Sequence, residues 1–450
     1  MIMNPLLHCQ GHTGLSAVSG ALTPKPQTKA RLAAGREGRD PQQAHGFDHT
    51  RADNALVSSL SSRRCVVIGA GILGAAVAAR LAEGGLRVTL LDQDEPGRAT
   101  SRWSFAWINS NDKAPRPYHD LNHAGMLAWA ELAPDLDGDA WYRPSGHVEL
   151  ATAGTDELEA RVRRLTEWGY PARLVSPAEA AELEPALRLP APAAAFFPDE
   201  GYLLTEPLIA RLVARAESNG AQVLTGEPAR VTGIDTSGDA PPRVRTAAGA
   251  VLEADEVICC AGRWTPSLAA VPLVPWQRNG STAPGLVVRV GPVAPPGPVR
   301  LLHTPDLAVR PHPGGLLHLE AEDAAAAVDL HTPEPELRRW GAELLRRARR
   351  TVRGLDDARV VTHQVCVRPL PPDGQSIVGR LPGAPGIYVA VTHSGVTLAA
   401  HLSRLIAADL TTGTPPAALS PYTPARFTPT PLDPGPRRPS ARPGAAPRAP

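Results

Sequence analysis

Residues 65–92 read CVVIGAGILGAAVAARLAEGGLRVTLLD. Cys65 to Ile68 is an apolar run of strand length, and it opens onto Gly69, Gly71 and Gly74 in a G-x-G-x-x-G turn. The spacing predicts a helix next, with Ile72, Ala75, Ala76, Ala79 and Leu81 as apolar positions and Gly84-Gly85 as its stop. A second strand, Val88 to Leu91, ends in Asp92. Each part suits a bound dinucleotide. Gly69 permits the tight turn, Gly71 lets a pyrophosphate approach the backbone between Ala70 and Ile72, and Gly74 lets helix and strand pack closely. The helix N-terminus offers N–H groups and partial positive charge to phosphates. Asp92, 23 positions after Gly69, is placed to accept hydrogen bonds from a ribose diol. A lone G-x-G-x-x-G is a weak signal, but here the whole strand–turn–helix–strand–acid setting is present; the alternative is the same βαβ unit without a ligand.

Outside this stretch, bulk properties exclude several classes. The 450 residues are enough for two packed domains. A net charge of +1 offers no field for nucleic acid or for an anionic membrane. Cys9, Cys65, Cys259, Cys260 and Cys366 form no C-x-x-C pair and no disulfide framework, so a reducing, cytoplasmic setting and no redox dithiol are expected. No apolar run is long enough to span a bilayer. Residues 1–60 carry little periodicity and are expected to be a disordered extension; the Pro- and Arg-rich stretch 413–450 is expected to be a disordered tail.

Between these ends the chain alternates. After Asp92 comes a polar and aromatic segment, with Thr100, Ser101, Ser104 and Trp107 expected beside a ligand at the carboxyl ends of the strands. Helices are expected from Thr155, with Leu158, Val162, Leu165 and Trp168 inward, and from Ser176, a capping box with Pro177 at the first helical position. Another starts at Thr205 and stops at Gly220. Glu256 to Cys260 reads as a strand ending in Ala261-Gly262, a small–small step that lets backbone come close to something flat or charged. Short strands at Leu286 to Val290, Leu307 to Arg310 and Leu316 to Leu319 suggest an antiparallel sheet, and Thr332-Pro333 opens a further helix. Finally, the strand Ile387 to Val391 leads through Thr392-His393-Ser394-Gly395 into a helix with Val396, Leu398, Leu402, Leu405 and Ile406 at helical spacing. Its N-terminus stabilises nearby negative charge by about 0.3–1 kcal/mol at an exposed site.

Four stretches then carry a resemblance: VIGAGILGAAVAARLAEGGLRVTLLD, ATSRWSFAWIN, VICCAGRWTPSL and VRPLPPDGQSIVGRLPGAPGIYVAVTHSGVTLA. In this order they resemble the FAD-dependent oxidoreductases of the D-amino-acid oxidase superfamily, in the branch of the glycine and sarcosine oxidases. The resemblance implies an α/β fold: a Rossmann-like FAD-binding domain interleaved with an antiparallel-sheet (α+β) substrate domain. It assigns pieces of about 62–115, 200–270 and 360–412 to the FAD-binding domain, and about 116–199 and 271–359 to the substrate domain. It also implies that Gly69, Gly71 and Gly74 cradle the pyrophosphate, Asp92 binds ribose, and Val231 meets the adenine by its backbone. Ala261 and Gly262 line the cofactor, and His393, Gly395, Val396 and Thr397 bring the second helix N-terminus to the isoalloxazine. The implied reaction is oxidation of the C–N bond of a small amine or amino acid by hydride transfer to flavin N5, giving an imine that hydrolyses. Oxygen or another acceptor then takes the electrons. No metal is implied.

Residue by residue, the resemblance has departures. Arg310 is the candidate for holding a substrate carboxylate, with a structural ion pair as the other reading; His303, His312 and His318 lie nearby. Sarcosine-oxidase-like members use a lysine near the flavin for reaction with oxygen. Here only Lys113 is available between the tails, outside the matching stretches, which leaves a dehydrogenase open. Cys366 stands where sarcosine-oxidase-like members link the flavin covalently; a small packing position is the other reading. The competing functions are a flavin-dependent hydroxylase-type enzyme and a non-catalytic FAD-binding subunit of an electron-transfer complex.

Overall fold

The computed structural model describes residues 62–427 apart from 152–153, 189–192, 237–239, 277–280 and 282. The expectations for residues 1–60 and for 428–450 lie outside the described residues.

The opening stretch forms the centre of a six-stranded sheet. Its strand order is Ile377–Arg380, Ile387–Val391, Glu256–Cys259, Arg64–Ile68, Arg87–Leu91, Gln222–Leu224, all parallel except the first. A central parallel strand is covered on both faces, which is why Cys65 to Ile68 is apolar without alternation and is buried throughout. From the first strand the chain adds strands on one side and then returns to add strands on the other. The order therefore reverses beside Arg64–Ile68, and ligands bind outside the carboxyl ends at such a point.

The helix Ile72–Glu83 packs between the helices Thr205–Ser218 and Gly395–Thr412 and is buried along almost its whole length. Its alanines make that close approach possible. Gly74 shows how close it is: a Cβ there would lie 1.8 Å from the Gly69 carbonyl oxygen. Gly69 itself sits at φ +100°, a conformation that favours glycine.

A second, eight-stranded sheet stands over the carboxyl ends. Its order is Arg359–Val367, Pro284–Gly291, Leu316–Glu320, Leu307–His312, Leu301–Thr304, His147–Ala151, Ala193–Phe197, Arg173–Val175. One face, with Leu286, Val288, Leu302, Val309 and Leu319, is buried against Leu344, Leu345 and Ala348 of the helix Glu334–Thr351. The strand period of two sends the alternate residues to the other face. There the register aligns Glu320, Ala308, His303 and Glu149 in one cross-strand row, and Arg289, His318 and Arg310 in the next.

Three expectations are corrected. The strand Arg359–Val367 pairs along its length with Pro284–Gly291, so residues 360–367 belong to the roof sheet and not to the FAD-binding piece 360–412. The helix Arg116–Leu132 leaves the substrate piece 116–199: Gly125 packs on the Thr397 backbone, and Trp129 Nε1 donates to Val396 O at 2.8 Å. The tail is not without structure from 413. Residues 417–427 form two short 3-10 turns, Leu419 and Tyr422 are buried, and Arg426 pairs with Asp373 at 2.8 Å. A high proline content did not prevent this, because isolated turns need no continuous helix and two apolar side chains suffice to seat them. No helix among the described residues is long and apolar enough to cross a membrane.

Candidate active site

Between the two sheets lies a cavity of about 1380 Å³. It exceeds the roughly 300–1,000 Å³ of an ordinary ligand pocket. At one end the first βα unit contributes Gly69, Gly71, Ile72 and Asp92 to its wall. The N-cap residue of the helix Ile72–Glu83 is Gly71, which has no side chain to offer; Ser101 Oγ, from a distant segment, accepts the Ile72 N–H at 3.1 Å. A Cβ on Gly71 would lie 3.2 Å from that same oxygen, so the bare backbone keeps the cradle open. Asp92 accepts from the amides of Ala70 (2.6 Å) and Asp94 (2.9 Å), and burial raises its carboxyl pKa. Thr100, Ser101, Ser104, Val231, Ala261 and Gly262 also reach the cavity. Ala70 and Gly74 do not line it; they stand behind the turn, where Gly74 serves packing.

The second strand–glycine–helix junction meets the same cavity. His393, Gly395, Val396 and Thr397 all line it, and the helix Gly395–Thr412 again starts without a side-chain cap. Burial, with the charges of Arg368 and Lys113 adding, holds the His393 imidazole down to about 3, so it is neutral. The positive character here comes instead from the helix end, Arg368 and Lys113.

The roof supplies Val287, Glu320, Ala308, His303 and Glu149. Arg368 pairs with Glu320 at 3.7 Å and donates to Pro284 O at 2.9 Å. Cys366 is on the wall too, its thiol pushed up to about 12 by burial and by the charge of Glu320.

Arg310 does not join them. It occupies the next cross-strand row, 2% exposed, with its guanidinium 5.9 Å from the Phe105 ring centroid and 4.9 Å from that of Tyr202. It donates to His318 Nδ1, and no carboxylate among the described residues pairs with it. In this arrangement Arg310 is off the cavity wall and has a histidine for its partner. His312 and His318 share that row's neighbourhood, and His303 alone of the three histidines reaches the cavity.

Sequence reasoning passed over Glu320 and left Arg368 and Lys113 without a site role. The R-P-x-P-P-D-G run contained the signal for Arg368, which stands inside a matching stretch. Lys113 enters from the loop before the helix Arg116–Leu132, and no motif marks it.

Two helix N-termini, a glycine cradle and the Asp92 carboxylate on one cavity wall fit a dinucleotide. Residues 64–409 match the family described as FAD dependent oxidoreductase, DAO. The chain belongs to this family. It is an FAD-dependent oxidoreductase. It is 27% identical over 361 residues to the glycine oxidase of Geobacillus kaustophilus, covering 76% of this chain and 91% of that one. The crystal structure of the G. kaustophilus enzyme superposes with a TM-score of 0.68 at 22% identity, over 81% of this chain and 99% of that one. Iminodiacetate oxidase from Chelativorans sp. BNC1 shares the fold at TM-score 0.67 and 23% identity, over 80% of this chain and 99% of its own.

Proposed function

We propose that this enzyme oxidises the C–N bond of a small amino acid or related amine in a reducing, cytoplasmic setting. One observation carries the reading. The cavity that holds the dinucleotide cradle also holds a charged end suited to a zwitterion, with Arg368 for a carboxylate and His303 and Glu320 for an amine. The family relationship and the glycine oxidase relative support it.

FAD, when bound, supplies a two-electron acceptor for the hydride that leaves the substrate carbon. Gly69 and Gly71, the two helix N-termini, Ser101 and Asp92 would hold it. The chain's own contribution is binding and orientation. Arg368 would fix the substrate carboxylate, a charge-assisted contact that can be bidentate. The roof sheet excludes water over the reacting carbon, and the uncapped helix Gly395–Thr412 favours negative charge beside it. Substrate carbon loses hydride and nitrogen loses a proton, which gives an imine; water then converts the imine to a carbonyl compound and ammonia or an amine. Lys113 on the cavity wall supports oxygen as the final electron acceptor.

The test is anaerobic mixing of the FAD-loaded enzyme with glycine, sarcosine, iminodiacetate, and both enantiomers of alanine and proline. Loss of the visible flavin band with at least one compound is the expected result. A band that survives the whole panel counts against amino-acid oxidation.

A further inference from the structure

Glu200 is fully buried, and among the described residues its only ion-pair partner is His147. It accepts from Trp107 Nε1 (2.9 Å), Asn111 Nδ2 (3.1 Å) and His147 Nδ1 (3.0 Å) on one oxygen, and from the Tyr170 hydroxyl (2.6 Å) on the other. Asn111 Nδ2 also lies 3.3 Å from His147 Nδ1, but it has the nearer Glu200 oxygen to donate to; a carboxylate only accepts, so the shorter contact to Glu200 assigns the proton of His147 to Nδ1. Its Nε2 then accepts from His303 Nδ1, 2.8 Å away. Among the described residues that leaves Nε2 of His303 as the one ring nitrogen of the chain Glu200–His147–His303 without a partner, on a residue that lines the cavity.

Aromatic rings fix both imidazoles. His147 stacks on Phe197 with centroids 5.2 Å apart, and His303 lies against Trp107 at 4.4 Å and Phe105 at 5.8 Å. Rings held this way keep their tautomers and their directions.

We infer that His303 takes a proton from the substrate's ammonium group, and that His147 and Glu200 are positioning residues that accept the resulting charge. The inference rests on the amine-oxidation reading above. The step balances within the chain and needs no oxidant. An N–H bond of the ammonium breaks, its electron pair stays on nitrogen, and a new N–H bond forms at His303 Nε2. The proton on His303 Nδ1 moves to His147 Nε2, so the positive charge comes to rest beside the Glu200 carboxylate. At rest the trio carries one buried negative charge; after the transfer it is neutral, which relieves the cost of an uncompensated buried carboxylate. The neutral amine then has the lone pair that hydride departure from the adjacent carbon requires.

Other charged groups face His303. Glu149 lies beside it on the neighbouring strand and is tied to Arg161 from the helix Asp156–Glu167, a balanced pair. Lys113 shares the cavity wall. Burial above all disfavours a charge held on His303 itself, so the resting ring is neutral and the accepted charge passes on to His147 beside Glu200.

The experiment uses FAD-loaded wild type, Glu200→Gln and His303→Gln. Anaerobic stopped-flow flavin reduction is followed against pH with whichever amino acid of the panel bleaches the wild type. His303→Gln should slow reduction near neutrality by about a hundredfold, the lower end of the roughly 10²–10⁴ that a general base contributes, and recover at alkaline pH where the amine is already neutral. Glu200→Gln should move the rising limb upward by about one pH unit, with substrate affinity changed by less than about threefold. A readout without turnover accompanies these: the substrate-free wild type should show a downfield imidazole N–H proton resonance from the His147–Glu200 bond, which Glu200→Gln loses. The inference is overturned if either variant keeps the wild-type pH profile, or if the resonance is missing from the wild type. Failure of every amino acid to bleach the wild type removes the amine-oxidation reading itself, and the inference with it, whatever the resonance shows.

Discussion

Arg368 and Glu320 stand 3.7 Å apart on the cavity wall, while Arg310 lies one cross-strand row away, out of the cavity. The two arginines therefore differ in what they can touch. Arg368→Met should raise KM for the oxidised amino acid by about 10- to 100-fold, the range of a lost charge-assisted hydrogen bond of ~1.5–3 kcal/mol. Arg310→Met should leave KM within about threefold and act on thermal stability instead. Steady-state kinetics on both variants check this, and a large KM effect at Arg310 alone would reverse the assignment.

Lys113 is the one lysine among the described residues, and it lines the cavity. A cation there stabilises negative charge as oxygen is reduced. Lys113→Met should slow reoxidation of the reduced enzyme by oxygen by about tenfold or more, an electrostatic effect on the order of 1.4 kcal/mol. Anaerobic reduction by substrate should change far less. Stopped-flow measurement of the two half-reactions separates them; equal slowing of both would place Lys113 in substrate binding.

Acid should find His393. Its imidazole is held near 3 in the folded chain against 6.5 ordinarily. A base with a depressed folded pKa contributes its full stability above the ordinary value and loses it as pH falls toward the folded one. Between the ordinary value and pH 5 the loss is about 2 kcal/mol at ~1.4 kcal/mol per pH unit. The FAD-loaded wild type should thus melt lower in mildly acidic than in neutral buffer. His393→Asn should shrink that difference by a few degrees. An unchanged acid response in the variant would assign the effect elsewhere.

Cys366 has a high-pKa thiol donating to Trp103 O at 3.7 Å, and a thiol in that form is a poor nucleophile toward a flavin. Acid precipitation of the purified enzyme should release the yellow colour to the supernatant. Colour retained in the pellet, and lost in Cys366→Ala, would establish a covalent link.

Much of this was legible in the chain itself, because the readable elements are periodic and local. The glycine turn, its helix and Asp92 follow from spacing, and so does the junction at His393. The strands Leu307–His312 and Leu316–Glu320 announced themselves by composition, but their alternation says only that Ala308 and Arg310 share a face. Which of the two meets the cavity depends on where Phe105 packs, a contact between distant segments. The strand Leu301–Thr304 is four residues long beside a proline-rich stretch, too short to show a period. Glu200 sits in Pro198-Asp199-Glu200-Gly201, which reads as an exposed turn, yet it is buried because three separate segments bring donors to it. His147 and His303 meet only because two strands far apart in sequence pair in parallel.

The segment after the last helix has a bearing on ligand retention. Tyr422 packs on Tyr118 with ring centroids 5.8 Å apart, and the Tyr118 hydroxyl donates to Ser394 Oγ at 3.2 Å, at the very residue from which the cavity-facing helix departs. Coupled equilibria are reciprocal: whatever affinity the seated segment lends the cofactor, the cofactor returns as resistance of that segment to detachment. Residues 413–427 thus form a clasp that should be harder for a protease to cut when FAD is in place, and trimming them should weaken FAD retention on dilution.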